Sequence, residues 1–248
     1  NEAYVIYGAM MAIGLAAIFV AAEPVKADAV MQQKGVETPL WTPRGFFDAV
    51  AGPFIVFFKT HGTHAVLILL AISLFQLPNF VSGPMYNPMY VDLGLSKDVV
   101  GAVRGSIGLV GVFLGVAAGG FLSLRLGLMR AVLLACASQM AGTALYAVLP
   151  FAHDPVSFAL VMGLDNFAIA LAGVTLVAYM SSLTSLGYTA TQYALLSSTY
   201  AWAGKILKGF SGTAVEGLAS HFGLMPAYAL FFLGCGAIGI PALLLFWQ

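Results

Sequence analysis

Four ionisable side chains stand inside otherwise apolar runs: Arg104, Asp165, Lys205 and Lys208. Burying such a group in a bilayer costs several kcal/mol, so its first reading is functional. At a helical rise of 1.5 Å per residue, Asp165 sits ~13 Å in from the outer end of its run. Lys208 and Lys205 sit ~15 and ~20 Å in from the outer end of theirs, and Arg104 lies ~8 Å below its own. All four therefore fall in the outer half, at compatible depths. Lys205 and Lys208 are spaced i, i+3 and share one helix face. The expectation is that Asp165 meets one lysine and leaves the other unpaired. An unpaired cation in a cavity takes a carboxylate, and a carboxylate beside a lysine is a titratable group that responds to what binds next to it. The competing reading is a salt bridge that only locks helices together. Lys208 also has the length to snorkel outward. Glu216 is read as a solvated end.

These charges require elements that hold them in lipid. The chain has 248 residues, of which 60% are hydrophobic and only 8% charged. Soluble domains carry roughly 25% charged residues. With a mean hydropathy of +0.94, a water-soluble globule, a disordered chain and a nucleic-acid binder are excluded. Ten Lys+Arg balance ten Asp+Glu, so no excess charge points to a partner. Alternating barrel strands are absent. Cys136 and Cys235 both lie in apolar runs and imply no disulfide framework.

Seven runs reach the length of about 20 residues that a crossing needs. They are a (3–22), b (65–91), c (99–124), d (131–151), e (156–188), f (190–218) and g (224–248). Spans b, e and f exceed that length and must tilt, kink or protrude. The fold expected is an all-α integral membrane protein with seven transmembrane helices: a six-helix bundle over 63–248, one preceding helix over 1–22, and a connecting loop over 23–62. The sequence starts Asn-Glu-Ala, without Met and without a signal-peptide pattern, and is expected to begin inside a longer protein.

Lys and Arg set the orientation. The a–b connection holds Lys26, Lys34, Arg44 and Lys59, and the c–d turn holds Arg125 and Arg130. Both are assigned to the cytoplasm, which puts residue 1 outside and Gln248 inside. Within the loop, Thr42-Pro43 reads as an N-cap followed by Pro at the first helical position. Phe46, Val50, Phe54 and Phe57 then fall on one helical face. This segment is too short to span and is expected to lie on the cytoplasmic membrane surface, apolar face down. The alternative is that it forms the first turns of span b.

Span b contains Pro78, Gly83, Pro84 and Pro88. Broken helices at membrane depth expose backbone groups where substrates bind. Asn79, Tyr86 and Asn87 stand there and can hydrogen-bond a sugar; the plainer reading is a kink used for rocking. Gln192 and Tyr193 either line a cytoplasmic gate or pack against span e. Gly111, Gly115 and Gly119 form a GxxxG series and read as a close helix contact. Gly234, Gly236 and Gly239 match a dinucleotide-type pattern, but inside an apolar helix, so they read as packing. His61 and His64 form a poor metal pair without a third ligand. No hydrolase or nucleotide-binding motif occurs. No cofactor, metal or catalytic residue is expected.

Two patterns carry a resemblance. Gly119-Gly120-Phe-Leu-Ser123-Leu-Arg125-Leu-Gly127-Leu-Met-Arg130 resembles the loop motif of the major facilitator superfamily, with Ser123 where an acid is usual. That motif follows the second helix of each six-helix half. In this register b to g correspond to helices seven to twelve, a to helix six, and 23–62 to the linker between halves. Tyr188-Thr-Ala-Thr-Gln-Tyr-Ala-Leu-Leu-Ser197-Ser198 is similar to the start of helix eleven in the muropeptide permeases (AmpG-like), with acetyl-CoA transporters as relatives. Gly163-Leu-Asp165-Asn166 resembles their acidic-Asn pair in helix ten. An aspartate would be expected after Leu77-Pro78, where this chain has Asn79.

The resemblance implies a secondary transporter of the bacterial inner membrane. It would import an anionic sugar-peptide such as an anhydro-muropeptide, driven by protons. Asp165 is then the expected proton-coupling residue. Lys205, Lys208, Arg104, Asn79, Asn87, Tyr86, Asn166, Gln192 and Tyr193 are the expected substrate contacts. The partners implied are the lipid bilayer, a small anionic solute, protons and an N-terminal six-helix half. The alternatives are a transporter of another anionic solute (acyl-CoA, peptide or drug), an integral-membrane enzyme, and a non-transporting membrane scaffold.

Overall fold

The proline, glycine and serine signals of the sequence become helix boundaries in a computed structural model that describes residues 2–21, 42–152, 154–184 and 189–247. The described residues are helical throughout and contain no strand. They fall into two units, 1–49 and 50–248. In the first, α1 (Glu2–Val20) carries no charge after Glu2, and its side chains from Tyr4 to Val20 are exposed. Most of the 23–42 segment lies outside the described residues.

α2 runs Pro43–His61, starting at the anticipated proline. The side chains of Phe46 and Val50 are not among those described. Of the anticipated apolar face, Phe57 is buried in the core and Phe54 is exposed. A turn at Gly62, whose φ of +54° suits glycine, separates α2 from α3 (His64–Ser82). The segment is thus its own helix rather than the first turns of span b.

Span b breaks at Gly83-Pro84, while helix continues through Pro78 and Pro88. α3 ends at Ser82, a 3-10 turn covers Gly83–Met85, and α4 covers Tyr86–Asp92. Pro84 has no N–H to offer, which removes one bond of the α-helical ladder beside Gly83. Span c is α5 (Lys97–Val103), a π-helical stretch (Arg104–Gly108) and α6 (Leu109–Leu126). Ser96 caps α5, its Oγ accepting from the Val99 N–H at 3.3 Å. α7 (Leu128–Leu145) follows the tight turn at Gly127 and runs into a 3-10 turn at Tyr146–Val148. α8 (Pro155–Leu183) is capped by Asp154, which accepts from the Ser157 N–H at 3.0 Å and hydroxyl at 2.7 Å. Those bonds hold the exposed Asp154 carboxyl below the usual carboxylate range.

The region of span f differs from expectation. It divides into α9 (Thr189–Lys208) and α10 (Ser211–Phe222) at Gly209-Phe210. The break has a partner: Ser211, fully buried, donates its hydroxyl to the Val81 carbonyl at 2.7 Å, beside the place where α3 gives way to the 3-10 turn. Span g is α11 (Leu224–Ile238) and α12 (Ile240–Trp247).

Among the described residues, five stretches are long and apolar enough to cross a membrane: His64–Asp92, Lys97–Leu126, Leu128–Val148, Pro155–Leu183 and Leu224–Trp247. The sequence leads one to expect seven. The apolar stretch Tyr4–Val20 is shorter than these, and α9 with α10 is interrupted and carries Lys205, Lys208 and Glu216.

α8 is the axis of the second unit, packed along α6 on one side and α7 on the other. The α6 seam uses the GxxxG series. A Cβ added to Gly111 would meet the Gly163 carbonyl oxygen, one on Gly115 the Phe167 carbonyl oxygen, and one on Gly119 would lie 3.1 Å from Val174 Cβ. Such backbone proximity is what small residues permit in lipid. Gly236 and Gly239 do the same for α11 and its end, against Met140 of α7.

Candidate functional site

Asp165 and Asn166 are neighbours on α8, about 100° apart around the helix. They enter different seams. Asp165 turns to α7, where a Cβ on Gly142 would lie 3.2 Å from its Oδ1. Asn166 turns to the π stretch of span c, where a Cβ on Gly108 would lie 2.8 Å from its Nδ2. Each polar head is admitted by a glycine on the facing helix.

Asp165 is 3% exposed. Its Oδ1 is buried without a hydrogen-bond partner. The groups around it are phenols: the Tyr146 hydroxyl approaches the carboxyl, and Tyr86 and Tyr90 feel its charge. The three rings form one cluster, with Tyr86 and Tyr146 centroids 4.5 Å apart and Phe232 5.3 Å from Tyr146. The Tyr90 hydroxyl donates to that of Tyr146 at 3.2 Å, and the hydroxyls of Tyr86 and Ser82 lie 3.0 Å apart.

The anticipated meeting of Asp165 with a lysine is not what the structure shows. Lys205 and Lys208 are exposed on α9, and no ion pair joins either to Asp165 among the described residues. Their depths match, but depth does not fix rotation about the helix axis. α9 lays Gly204 against Phe80 of α3, and this contact sets which way the lysines turn.

The remaining anticipated residues are dispersed. Arg104 is exposed at the start of the π stretch and donates to Asn87 Oδ1 at 3.4 Å. Both line a cavity of about 280 Å³ with Tyr90 and Lys97. Asn79 is half-buried, and its carbonyl accepts from Ser82 Oγ at 3.3 Å. Gln192 is buried and donates to the Pro53 carbonyl at 3.1 Å, tying α9 to α2. Tyr193 is half-buried against the core. The His61 ring lies 3.0 Å from the Phe57 carbonyl, and no metal-type cluster occurs among the described residues.

Two residues near Asp165 escaped sequence reasoning. Gln139 and Thr143 on α7 are 2% and 0% exposed. Gln139 Oε1 and Nε2 and Thr143 Oγ1 are all buried without a hydrogen-bond partner. The signal was present: Gln139, Thr143 and Tyr146 fall at i, i+4 and i+7, a polar stripe on one face of an apolar helix.

The arrangement defines a multi-pass α-helical membrane protein with polar groups buried in an apolar core. No family model matches the chain. It is 30% identical over 198 residues to a Rickettsia felis protein named as the transporter AmpG 4, covering 79% of this chain and 45% of that protein. It is 29% identical over 206 residues to the anhydromuropeptide permease of Escherichia coli, covering 82% of this chain and 40% of the permease. An uncharacterized protein of Haemophilus influenzae is 30% identical over 240 residues. The chain spans about half the length of the curated relatives it matches. The resemblance to the AmpG-like permeases is thereby shown across about four-fifths of the chain.

Proposed function

We propose that this chain is the C-terminal part of a proton-coupled secondary transporter that imports an anionic sugar-peptide such as an anhydro-muropeptide. The observation that carries the reading is Asp165, a carboxyl 3% exposed at membrane depth with no countercharge beside it. An ionised carboxylate there is costly, whereas a protonated one is tolerated. Such a group can bind a proton and yield it only when its surroundings open, which is the act a symporter requires. Asp165 is the proton carrier. Lys205, Lys208 and Arg104 supply exposed cations for an anionic solute, and Asn79, Tyr86, Asn87, Asn166, Gln192 and Tyr193 supply polar contacts. The register with helices six to twelve of the major facilitator superfamily, an inner-membrane location and a cytoplasmic 23–62 loop belong to the same proposal.

The test uses the full-length protein in vesicles. An inward proton gradient is expected to drive accumulation of labelled anhydro-muropeptide, and Asp165→Asn to abolish accumulation while sparing exchange of solute across the membrane. Undiminished proton-driven uptake by Asp165→Asn refutes the assignment.

A further inference from the structure

Buried polar atoms of α7 and α8 lack hydrogen-bond partners at the seam between the two helices. Gln139 Oε1 and Nε2, Thr143 Oγ1 and Asp165 Oδ1 are all buried without hydrogen bonds. An unsatisfied buried polar group costs about 1–3 kcal/mol, so four in one region require an explanation. Gln139, Gly142, Thr143 and Tyr146 share the face of α7 that meets Asp165 at Gly142. Gly142, between Gln139 and Thr143 in sequence, is the point where α7 touches Asp165. Thr143 and Asp165 both act on the Tyr86 hydroxyl, and Tyr146, one stripe position further, approaches the carboxyl.

Resting on the reading of Asp165 as proton carrier, we propose that Gln139 and Thr143 are positioning residues that serve Asp165 in both of its protonation states. The chemistry of the side chains suits this. A carboxylate accepts hydrogen bonds only, whereas a carboxylic acid also donates one. A glutamine amide can meet either state by presenting Nε2 to the carboxylate or Oε1 to the acid O–H, and a threonine hydroxyl both donates and accepts. A lysine partner would hold the carboxylate ionised and resist protonation. The proton comes from hydronium on one side, forms an O–H bond at Oδ1, and leaves to water on the other. The amide and hydroxyl follow by rotation, with no net charge added to the interior.

Few other titratable groups face this point. Tyr86 and Tyr90 come from α4 and Tyr146 from the end of α7. Arg104, on the π stretch, acts on Tyr90. Span c brings Lys97 and Asp98 to its outer end and Arg125 to its other end, and Lys205 and Lys208 of α9 are exposed.

The experiment measures the pH profile of gradient-driven uptake in vesicles holding the full-length protein, for Gln139→Met, Thr143→Val and Thr143→Ser. Melting temperature reports folding in each. Met and Val conserve volume but cannot hydrogen-bond in this way, so the carboxylate would have no donor to turn to from α7. A hydrogen bond to a charged group is worth about 1.5–3 kcal/mol, or roughly one to two pH units. Gln139→Met and Thr143→Val are expected to displace the midpoint of uptake to higher pH by about one unit or more, and Thr143→Ser to leave it in place. A merely structural role would lower the melting temperature and leave the midpoint unmoved. Midpoints that stay at the wild-type value in folded Gln139→Met and Thr143→Val overturn the proposal. If instead Asp165→Asn retains proton-driven uptake, it is the underlying assignment of Asp165 that fails.

Discussion

The sharpest structural expectation concerns Gly115 on α6. A Cβ there would press on the Phe167 carbonyl oxygen of α8, lie 3.0 Å from the Phe167 carbonyl carbon and 2.8 Å from Ala170 Cβ. Comfortable carbon–oxygen approaches across helix seams are about 3.3–3.6 Å. The partner atoms are largely backbone, so no rotamer change relieves the clash, and the helices must part by roughly 1 Å. Overpacking of this kind costs about 1–3 kcal/mol, before any loosening of the rest of the seam. Gly120, five residues along the same helix, has nothing within 4 Å of its Cβ position. Gly120→Ala should therefore show only the helix-propensity gain, up to about 1 kcal/mol. The assay is thermal unfolding of the purified protein, side by side. Gly115→Ala is expected to melt below wild type, and Gly120→Ala at or above it. Equal melting of the two variants would falsify the close α6–α8 seam.

Further outcomes follow from other contacts. Ser211→Ala leaves the buried Val81 carbonyl without its donor at the α9–α10 break; a loss of about 1–3 kcal/mol should appear as a lower melting temperature, and an unchanged one removes the anchoring role. Lys205→Ala and Lys208→Ala are expected to weaken uptake of anionic substrates more than of neutral analogues, and equal losses for both would argue against a charge role. Lys34→Cys, with Cys136 and Cys235 replaced, should be reached by an impermeant thiol reagent only from the cytoplasmic face; labelling from the opposite face inverts the topology.

Where helices begin, end and break was legible because it depends on local chemistry. Pro43, Pro84 and Gly127 act on their own backbone, and the structure puts boundaries beside each. The glycine series of α6 was legible for a related reason: small residues at i, i+4 and i+8 leave a flat strip that another helix must fill. Which helix fills it is a tertiary fact, and α8 emerges only from the packing. The span count was less legible around 190–222, because Lys205, Lys208 and Ser211 lower the apolar character of that run and the break at Gly209 depends on the distant Val81 carbonyl. The Asp165–lysine pairing failed because it used depth alone. Rotation about the axis decides which face a residue presents, and for α8 that is set by glycines on other helices. Gln139 and Thr143 stay hidden in the sequence because neutral polar residues in an apolar run raise no alarm singly. Their i, i+4 spacing, leading to Tyr146, was the usable signal.

Asp165 and Asn166, adjacent on α8, enter two different seams. One sits at the seam with α7, the other at the seam with the π stretch of span c. A π stretch holds an extra residue per turn, a strained register that recurs at functional sites. Gly108, which receives Asn166, and Ile107, which lies 2.8 Å from the Cβ position of Gly163, both belong to that stretch. Any shift of α8 along its axis must therefore disturb Asp165 against α7 and Asn166 against span c together. On the proposed role, moving an ionised Asp165 beyond the Gln139–Thr143–Tyr146 stripe of α7 would expose a bare charge to the hydrocarbon interior. Once it is protonated, the same movement carries only a neutral hydroxyl, which Gln139, Thr143 and Tyr146 can receive in turn. On the proposed role of Asp165, protonation would lower the barrier to a helix movement that also displaces Asn166 at the other seam, and coupling would need no ion pair to break.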